Sequence, residues 1–221
     1  MYYFVRSLVR FVLPLLFRVS VTGAQLVPEE GPVLLCSTHG SNWDPILLGA
    51  SVNRKVAFMA KEELFRFPPL AMLLRTFDAF PIRRGAADRQ AMRIALGLLD
   101  QGRLLVMFPE GHRRPGAERL KIERGVGMLA ARSDAVIVPV LLRGSYRWFQ
   151  PLRITFGEPF RIEAASEPDA LGDGPGAPGR ALSGARGRDL VDRATELIET
   201  KMQDLITAAR AERASGVRSA P

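Results

Sequence analysis

Val33-Leu34-Leu35-Cys36-Ser37-Thr38-His39-Gly40-Ser41-Asn42-Trp43-Asp44-Pro45 opens on four apolar residues and closes on an aspartate–proline pair. A short apolar run that ends in small polar residues reads as a buried strand. Proline directly after aspartate reads as a helix start, because proline suits the first helical position and aspartate suits the cap before it. The stretch therefore predicts strand, turn, helix. Two residues five apart on one helix would lie about 140° apart. With a turn between them, His39 at the strand end and Asp44 at the helix start can meet. One carboxylate oxygen would cap helix 45–52 while the other accepts from the imidazole.

The same alternation continues outward. Apolar runs at Val33–Cys36, Val56–Met59, Ala79–Ile82, Leu104–Phe108, Val136–Val140 and Ile154–Phe156 predict strands. Helical periodicity predicts helices over 2–19, 45–52, 62–75, 86–100, 118–132 and 188–212. This pattern implies an α/β domain with helices covering a central sheet. Val136–Val140 reads as an edge or terminal strand, because Pro139 lacks an amide for a central ladder. Six glycines between Gly172 and Gly187, with Pro175 and Pro178, predict a linker. The expected organisation is 1–24 as a membrane-associating segment, 25–165 as the α/β domain, 166–187 as the linker, and 188–221 as a last helix with a frayed tail.

Residues 2–19 carry no acid, and no acid precedes Glu29. Arg6, Arg10 and Arg18 share one side of the helical wheel, while most of the apolar residues lie outside it. The Arg-free run Phe11–Phe17 is far short of the roughly 20 residues that span a bilayer. The pattern predicts an amphipathic helix in the membrane interface, with arginines toward headgroups. A helix packed on the domain is the competing reading. Arg18 interrupts the apolar core that a signal peptide needs.

The chain of 221 residues has 31 Lys+Arg against 23 Asp+Glu, a formal charge of +8. An anionic partner fits, but charge alone does not choose among nucleic acid, lipid and phosphorylated substrate. The single cysteine, Cys36, excludes an intrachain disulfide and reads as a small buried residue. Chemistry is concentrated in three segments. A carboxylate beside an imidazole fixes its tautomer and stabilises the imidazolium, so His39 and Asp44 suit deprotonation of an alcohol. Phe80-Pro81-Ile82-Arg83-Arg84-Gly85 and Phe108-Pro109-Glu110-Gly111-His112-Arg113 each follow a predicted strand, where α/β sheets place binding loops. Arginine forks match phosphate oxygens, and amides near Gly111 could approach an anion. A solvated basic face is the plainer reading of any single arginine there. A serine hydrolase using Ser37 or Ser41 lacks the Gly-x-Ser-x-Gly elbow. A nucleic-acid module lacks aromatics interleaved with the arginines.

In order and spacing, these segments resemble the glycerophospholipid acyltransferases, most closely the 1-acyl-glycerol-3-phosphate (lysophosphatidic acid) acyltransferases. The resemblance covers roughly residues 15–160. It rests on His39 with Asp44, on Phe80-Pro81-Ile82 with Arg84, on Phe108–Gly111 with Arg113, and on Val138-Pro139. Thr38, Asp78 and His112 depart from the family pattern, which has asparagine, glycine and threonine there. The resemblance implies a mixed central sheet flanked by helices and preceded by membrane-binding helical segments, while the arginine-bearing wheel of residues 2–19 adds the expectation of peripheral attachment to the cytoplasmic leaflet. The resemblance also implies transfer of a fatty acyl group from acyl-CoA or acyl carrier protein, as co-substrate, to the free hydroxyl of 1-acyl-glycerol-3-phosphate, giving phosphatidic acid, with a lysophospholipid of another headgroup, or hydrolysis of an acyl ester or thioester, as the alternative. No metal or bound cofactor is implied, and no nucleic acid. His39 would be the general base and Asp44 its orienter. Arg84 and Arg113 would hold the acceptor phosphate, Glu110 would orient an arginine or the glycerol, and an amide near Gly111 would face the oxyanion.

Overall fold

The protein is described by a computed structural model covering residues 2–83, 88–111, 120–162 and 184–215. Helix α1 (Tyr2–Leu16) leads into strand β1 (Arg18–Thr22). Then follow β2 (Val33–Ser37), α2 (Asp44–Ser51), β3 (Val56–Lys61), a 3-10 turn at Glu62–Arg66 and α3 (Pro68–Thr76). The chain continues with β4 (Ala79–Ile82), α4 (Arg89–Asp100), β5 (Leu104–Met107), α5 (Arg124–Arg132), β6 (Val136–Gly144), β7 (Pro151–Phe156) and α6 (Gly184–Ala214).

The seven strands form one sheet in the order β1-β7-β6-β2-β5-β3-β4. From β6 to β4 every neighbour is parallel. β7 runs antiparallel to β6, and β1 is parallel to β7. The fold is the expected α/β architecture, a mixed sheet flanked by helices. All five residues of β2 are fully buried, as a strand covered on both faces must be. Alternate residues enter two cores. Leu34 and Cys36 join α4, α5 and α6, while Val33 and Leu35 join α1 and α2. Truncating Leu34 or Leu35 to alanine would cost about 2–5 kcal/mol. Gly127 lets α5 and α6 meet closely, for a Cβ there would lie 2.6 Å from the Val191 carbonyl oxygen.

Several expectations change, and the helix expected over 118–132 is among them, since α5 starts at Arg124. Residues 18 and 19, expected to end the first helix, belong to the edge strand β1, so the sheet begins inside the segment expected to be separate from it. Only five alternating residues with one paired edge signal this strand, and the apolar run before them masks it. Val136–Val140 is not at an edge, since β6 lies between β7 and β2. Pro139 is tolerated because its carbonyl accepts from Gly157, just past the end of β7 at Phe156. Its missing amide thus faces the point where the β7 ladder has stopped. The helix expected over 62–75 breaks at Phe67-Pro68, with Pro68 starting α3. The last helix starts at Gly184 rather than 188, and most of the expected linker lies outside the described residues.

The arginines of α1 also differ from their expected role. Arg10 donates to the carbonyls of Ala50 (2.6 Å) and Val52 (3.1 Å) and to Asn53. Arg6 donates to the Val52 carbonyl at 3.4 Å. Cations at the C-terminal end of a helix satisfy its last carbonyls and oppose its negative pole. Both side chains therefore fasten α1 to α2 instead of facing headgroups. Leu13 of α1 is buried, whereas Leu8 and Phe11 are exposed. Among the described residues no helix is long and apolar enough to cross a membrane.

Candidate active site

β2 ends at Ser37, and the next two residues carry the chain out of the sheet at its C-terminal end. Thr38 anchors that exit. Its amide donates to the Val140 carbonyl (3.1 Å), and its hydroxyl accepts from the Leu142 amide (3.0 Å). Here the departure from asparagine has a clear job, since a threonine hydroxyl continues the β2–β6 ladder by one more residue. His39 follows, buried, with its ring stacked on Phe108 at a centroid distance of 4.0 Å.

Asp44 is fully buried at the first turn of α2. Its Oδ2 lies 2.8 Å from His39 Nδ1 and accepts from the amides of Gly40 and Ser41, each at 2.8 Å. Its Oδ1 accepts from the Tyr146 hydroxyl at 2.6 Å. The expectation that Asp44 caps α2 is corrected. The carboxylate turns back onto the loop it closes and satisfies amides before the helix, not within it. A buried carboxylate needs such donors to remain charged. With Asp44 ionised, the proton sits on His39 Nδ1, leaving Nε2 as the acceptor. Burial and the Asp44 carboxylate push the Tyr146 phenol up from its ordinary value, so Tyr146 stays a donor.

Tyr146 was invisible to sequence reasoning. It lies 102 residues from Asp44, in the loop after β6, and no local pattern points to it. Gly40 provides the only faint signal, because a Cβ there would come 3.3 Å from the Tyr146 ring. Phe108, singled out as part of a motif, proves to be the stacking partner of His39.

A cleft of about 1110 Å³ opens beside His39, at the C-terminal ends of β3, β4 and β5 and against α4, α5 and α6. Its walls include Met59, Met92, Met107 and Met128, and its lining also carries Arg83, Arg89, Arg93, Arg124, Arg132 and Arg188. Among the described residues, Asp88 and Glu123 are the acids of the lining. Asp88 accepts from the Arg83 and Ala91 amides, which hold its carboxyl below the ordinary value. Arg83 pairs with Glu62 at 2.9 Å and Arg124 with Asp192 at 2.8 Å. The excess is cationic, over apolar walls, which suits an amphiphile with an anionic head.

The remaining candidates divide. Gly111 lines the cleft with φ 68, a left-handed conformation natural to glycine. Its amide donates to the Phe108 carbonyl at 3.1 Å and so closes a turn rather than facing the cleft. An oxyanion donor is therefore not this amide. Glu110 is buried, between the cleft-lining Pro109 and Gly111 in sequence. Arg84, Arg113 and His112 lie outside the described residues. Asp78 takes φ 52 and bonds both Lys55 (2.8 Å) and Arg103, which explains how it stands in a glycine position. Cys36 is fully buried, and burial pushes its thiol far up, as its inert reading requires. Ser37 and Ser41 bond backbone groups, not the imidazole.

The Acyltransferase family model matches residues 18–143, more than half of the chain. The chain belongs to the Acyltransferase family. The matched residues span β1 to the end of β6 and contain the His39–Asp44 pair. Within this family it is 28% identical over 145 residues to a 1-acyl-sn-glycerol-3-phosphate acyltransferase of Bacillus subtilis, covering 65% of this chain and 72% of that one. It is 25% identical over 134 residues to the enzyme of the same name from Borreliella burgdorferi, covering 60% of this chain but 54% of that one. The chain thus spans about half the length of the second relative. The fold matches the crystal structure of the 1-acyl-sn-glycerophosphate acyltransferase PlsC from Thermotoga maritima. That match has a TM-score of 0.59 and 23% identity, over 85% of this chain and 71% of the other. This family member is an acyltransferase, and the relatives named above are 1-acyl-sn-glycerol-3-phosphate acyltransferases.

Proposed function

We propose that this acyltransferase moves a fatty acyl group from acyl-CoA or acyl carrier protein to the free hydroxyl of 1-acyl-glycerol-3-phosphate, giving phosphatidic acid. The observation that carries the reading is the imidazole held at Nδ1 by a buried, fully hydrogen-bonded carboxylate, beside a cleft with apolar walls and cationic lining.

The acceptor hydroxyl gives its proton to His39 Nε2 as its oxygen attacks the thioester carbonyl. The new C–O bond forms a tetrahedral oxyanion, which collapses with cleavage of the C–S bond. The departing thiolate takes the proton back from the imidazolium. Asp44 holds Nδ1–H throughout and stabilises the imidazolium between the two proton transfers. The base stays in place because Gly40, Ser41 and Tyr146 hold the carboxylate. Arg84 and Arg113 would bind the acceptor phosphate, and the cleft arginines favour an anionic substrate nearby. Glu110 would orient one of these arginines. Transfer needs no bound metal or cofactor. The exposed Leu8 and Phe11 of α1 support peripheral attachment to a membrane, and the cytoplasmic leaflet is the face we assign to it.

The test follows thiol release from acyl-CoA with and without lysophosphatidic acid, and phosphatidic acid as product. The proposal requires both to depend on the acceptor. Thiol release at the same rate without acceptor would make the protein a thioesterase. A panel of lysophospholipids then ranks the headgroups.

A further inference from the structure

The chain reverses direction at the end of the sheet that carries His39. β6 is parallel to β2, so its end at Gly144 lies where β2 hands over to His39. β7 returns antiparallel to β6, and β1 is parallel to β7. The start of β1 and the last turn of α1 therefore lie at this same end. Backbone bonds join them to the β6–β7 loop. The Phe149 amide donates to the Leu16 carbonyl (2.8 Å), and the Arg18 amide to the Gln150 carbonyl (3.2 Å).

This loop, residues 145–150, holds two large rings outward. Trp148 is 66% exposed and Phe149 61%. Phe149 also takes φ 62, an uncommon conformation for a bulky residue. Such an outlier on an exposed aromatic points from geometry toward function. Charge agrees. No Asp or Glu occurs from Ala135 through Gly157, a stretch with Arg143, Arg147 and Arg153. None occurs before Glu29 either. Arg18 and Arg147 are exposed beside the rings, and Leu8 and Phe11 are exposed on the adjoining helix. Outward aromatics among cations, with no acid in either segment, complement an anionic bilayer interface. Tryptophan favours the headgroup level and arginine the negative surface.

The base of the loop is fixed to the catalytic pair, since Tyr146 holds Asp44. We infer that residues 145–150 form a lipid-contacting loop, in which Trp148 and Phe149 enter the interface of an anionic bilayer while Arg18 and Arg147 meet its headgroups. The loop extends membrane contact beyond α1 and keeps His39 at a set height above the lipid. The inference rests on the lipid acyl-transfer reading, so binding tests it, not turnover.

Replacing Trp43 by phenylalanine leaves Trp148 as the sole tryptophan of the full chain. Vesicles of phosphatidylethanolamine with phosphatidylglycerol are added, with pure phosphatidylcholine vesicles as the uncharged comparison. Trp148 emission should shift to the blue and be quenched by brominated acyl chains, most strongly with phosphatidylglycerol. In the parent chain, Trp148→Ser with Phe149→Ser should weaken vesicle affinity by about tenfold or more. Co-sedimentation with unchanged Trp148 emission would overturn the inference, because lipid would then be met elsewhere. Failure to co-sediment would overturn it as well. A blue shift that grows with protein concentration in the absence of vesicles would show that a second copy covers the loop. Turnover of a short-chain soluble acceptor, measured on the same samples, separates loss of lipid contact from loss of acyl transfer.

Discussion

Asp44 and the cleft arginines carry opposite charges and are held in opposite ways. Asp44 has no exposed surface and accepts from His39, Gly40, Ser41 and Tyr146. Arg89, Arg93, Arg124 and Arg188 are exposed, and Arg124 reaches its acid across a solvent-exposed pair. Burial removes screening, so one carboxylate can fix one ring nitrogen. Exposure keeps screening, so several arginines together attract an anion without any one of them being indispensable. On the proposed mechanism a single position governs the proton, whereas the anion is governed by a sum.

The largest test of this contrast is His39→Ala. Turnover should fall by about 10²–10⁴-fold with the circular dichroism unchanged, the range for a lost general base. Near-normal turnover in a folded variant would end the proton-transfer account. Asp44→Asn comes next, at roughly 10²-fold or more in kcat. It should also lower the melting temperature, because a buried network loses its charge.

Tyr146→Phe sharpens the contrast by removing one donor and leaving the ring. A hydrogen bond to a charged group contributes about 1.5–3 kcal/mol, so a loss near tenfold in kcat with little change in KM is expected. The variant should also change alkaline stability. The folded phenol has its pKa raised above the ordinary value of about 10. Its contribution is therefore complete below pH 10 and is lost as pH rises further. Melting curves of the wild type and Tyr146→Phe should run at a constant offset below pH 10 and converge above it. Parallel curves throughout would place Tyr146 outside the network.

The smallest effect belongs to the rim. Arg89→Ala with Arg93→Ala should raise the acceptor KM a few-fold at low salt and hardly at all at high salt, with kcat unchanged. A large, salt-independent loss would mean that these arginines hold the substrate by fixed contacts and would erase the distinction.

The parts of the molecule legible in its sequence are those coded by neighbours. The run 33–37 shows its strand because both faces are covered, and Asp44-Pro45 shows the helix start. The His39–Asp44 contact spans one turn, so spacing and turn chemistry suffice to expect it. β1 was hidden because its five residues are mostly exposed and pair on one side only. The α1 arginines misled because a wheel shows which residues share a side but not what that side meets. Here it meets the carbonyl end of α2. Tyr146 was out of reach because the β2–β6 pairing, not sequence proximity, brings its loop to Asp44.

Cys36 has a consequence for how this enzyme can be watched. The chain has no other thiol, and this one is sealed in β2 with its ionisation strongly opposed. In the native state a disulfide-exchange dye would therefore count thiols released from an added acyl thioester without protein background. An introduced surface cysteine would also take up a spectroscopic label at that position alone, with no native residue to be removed first.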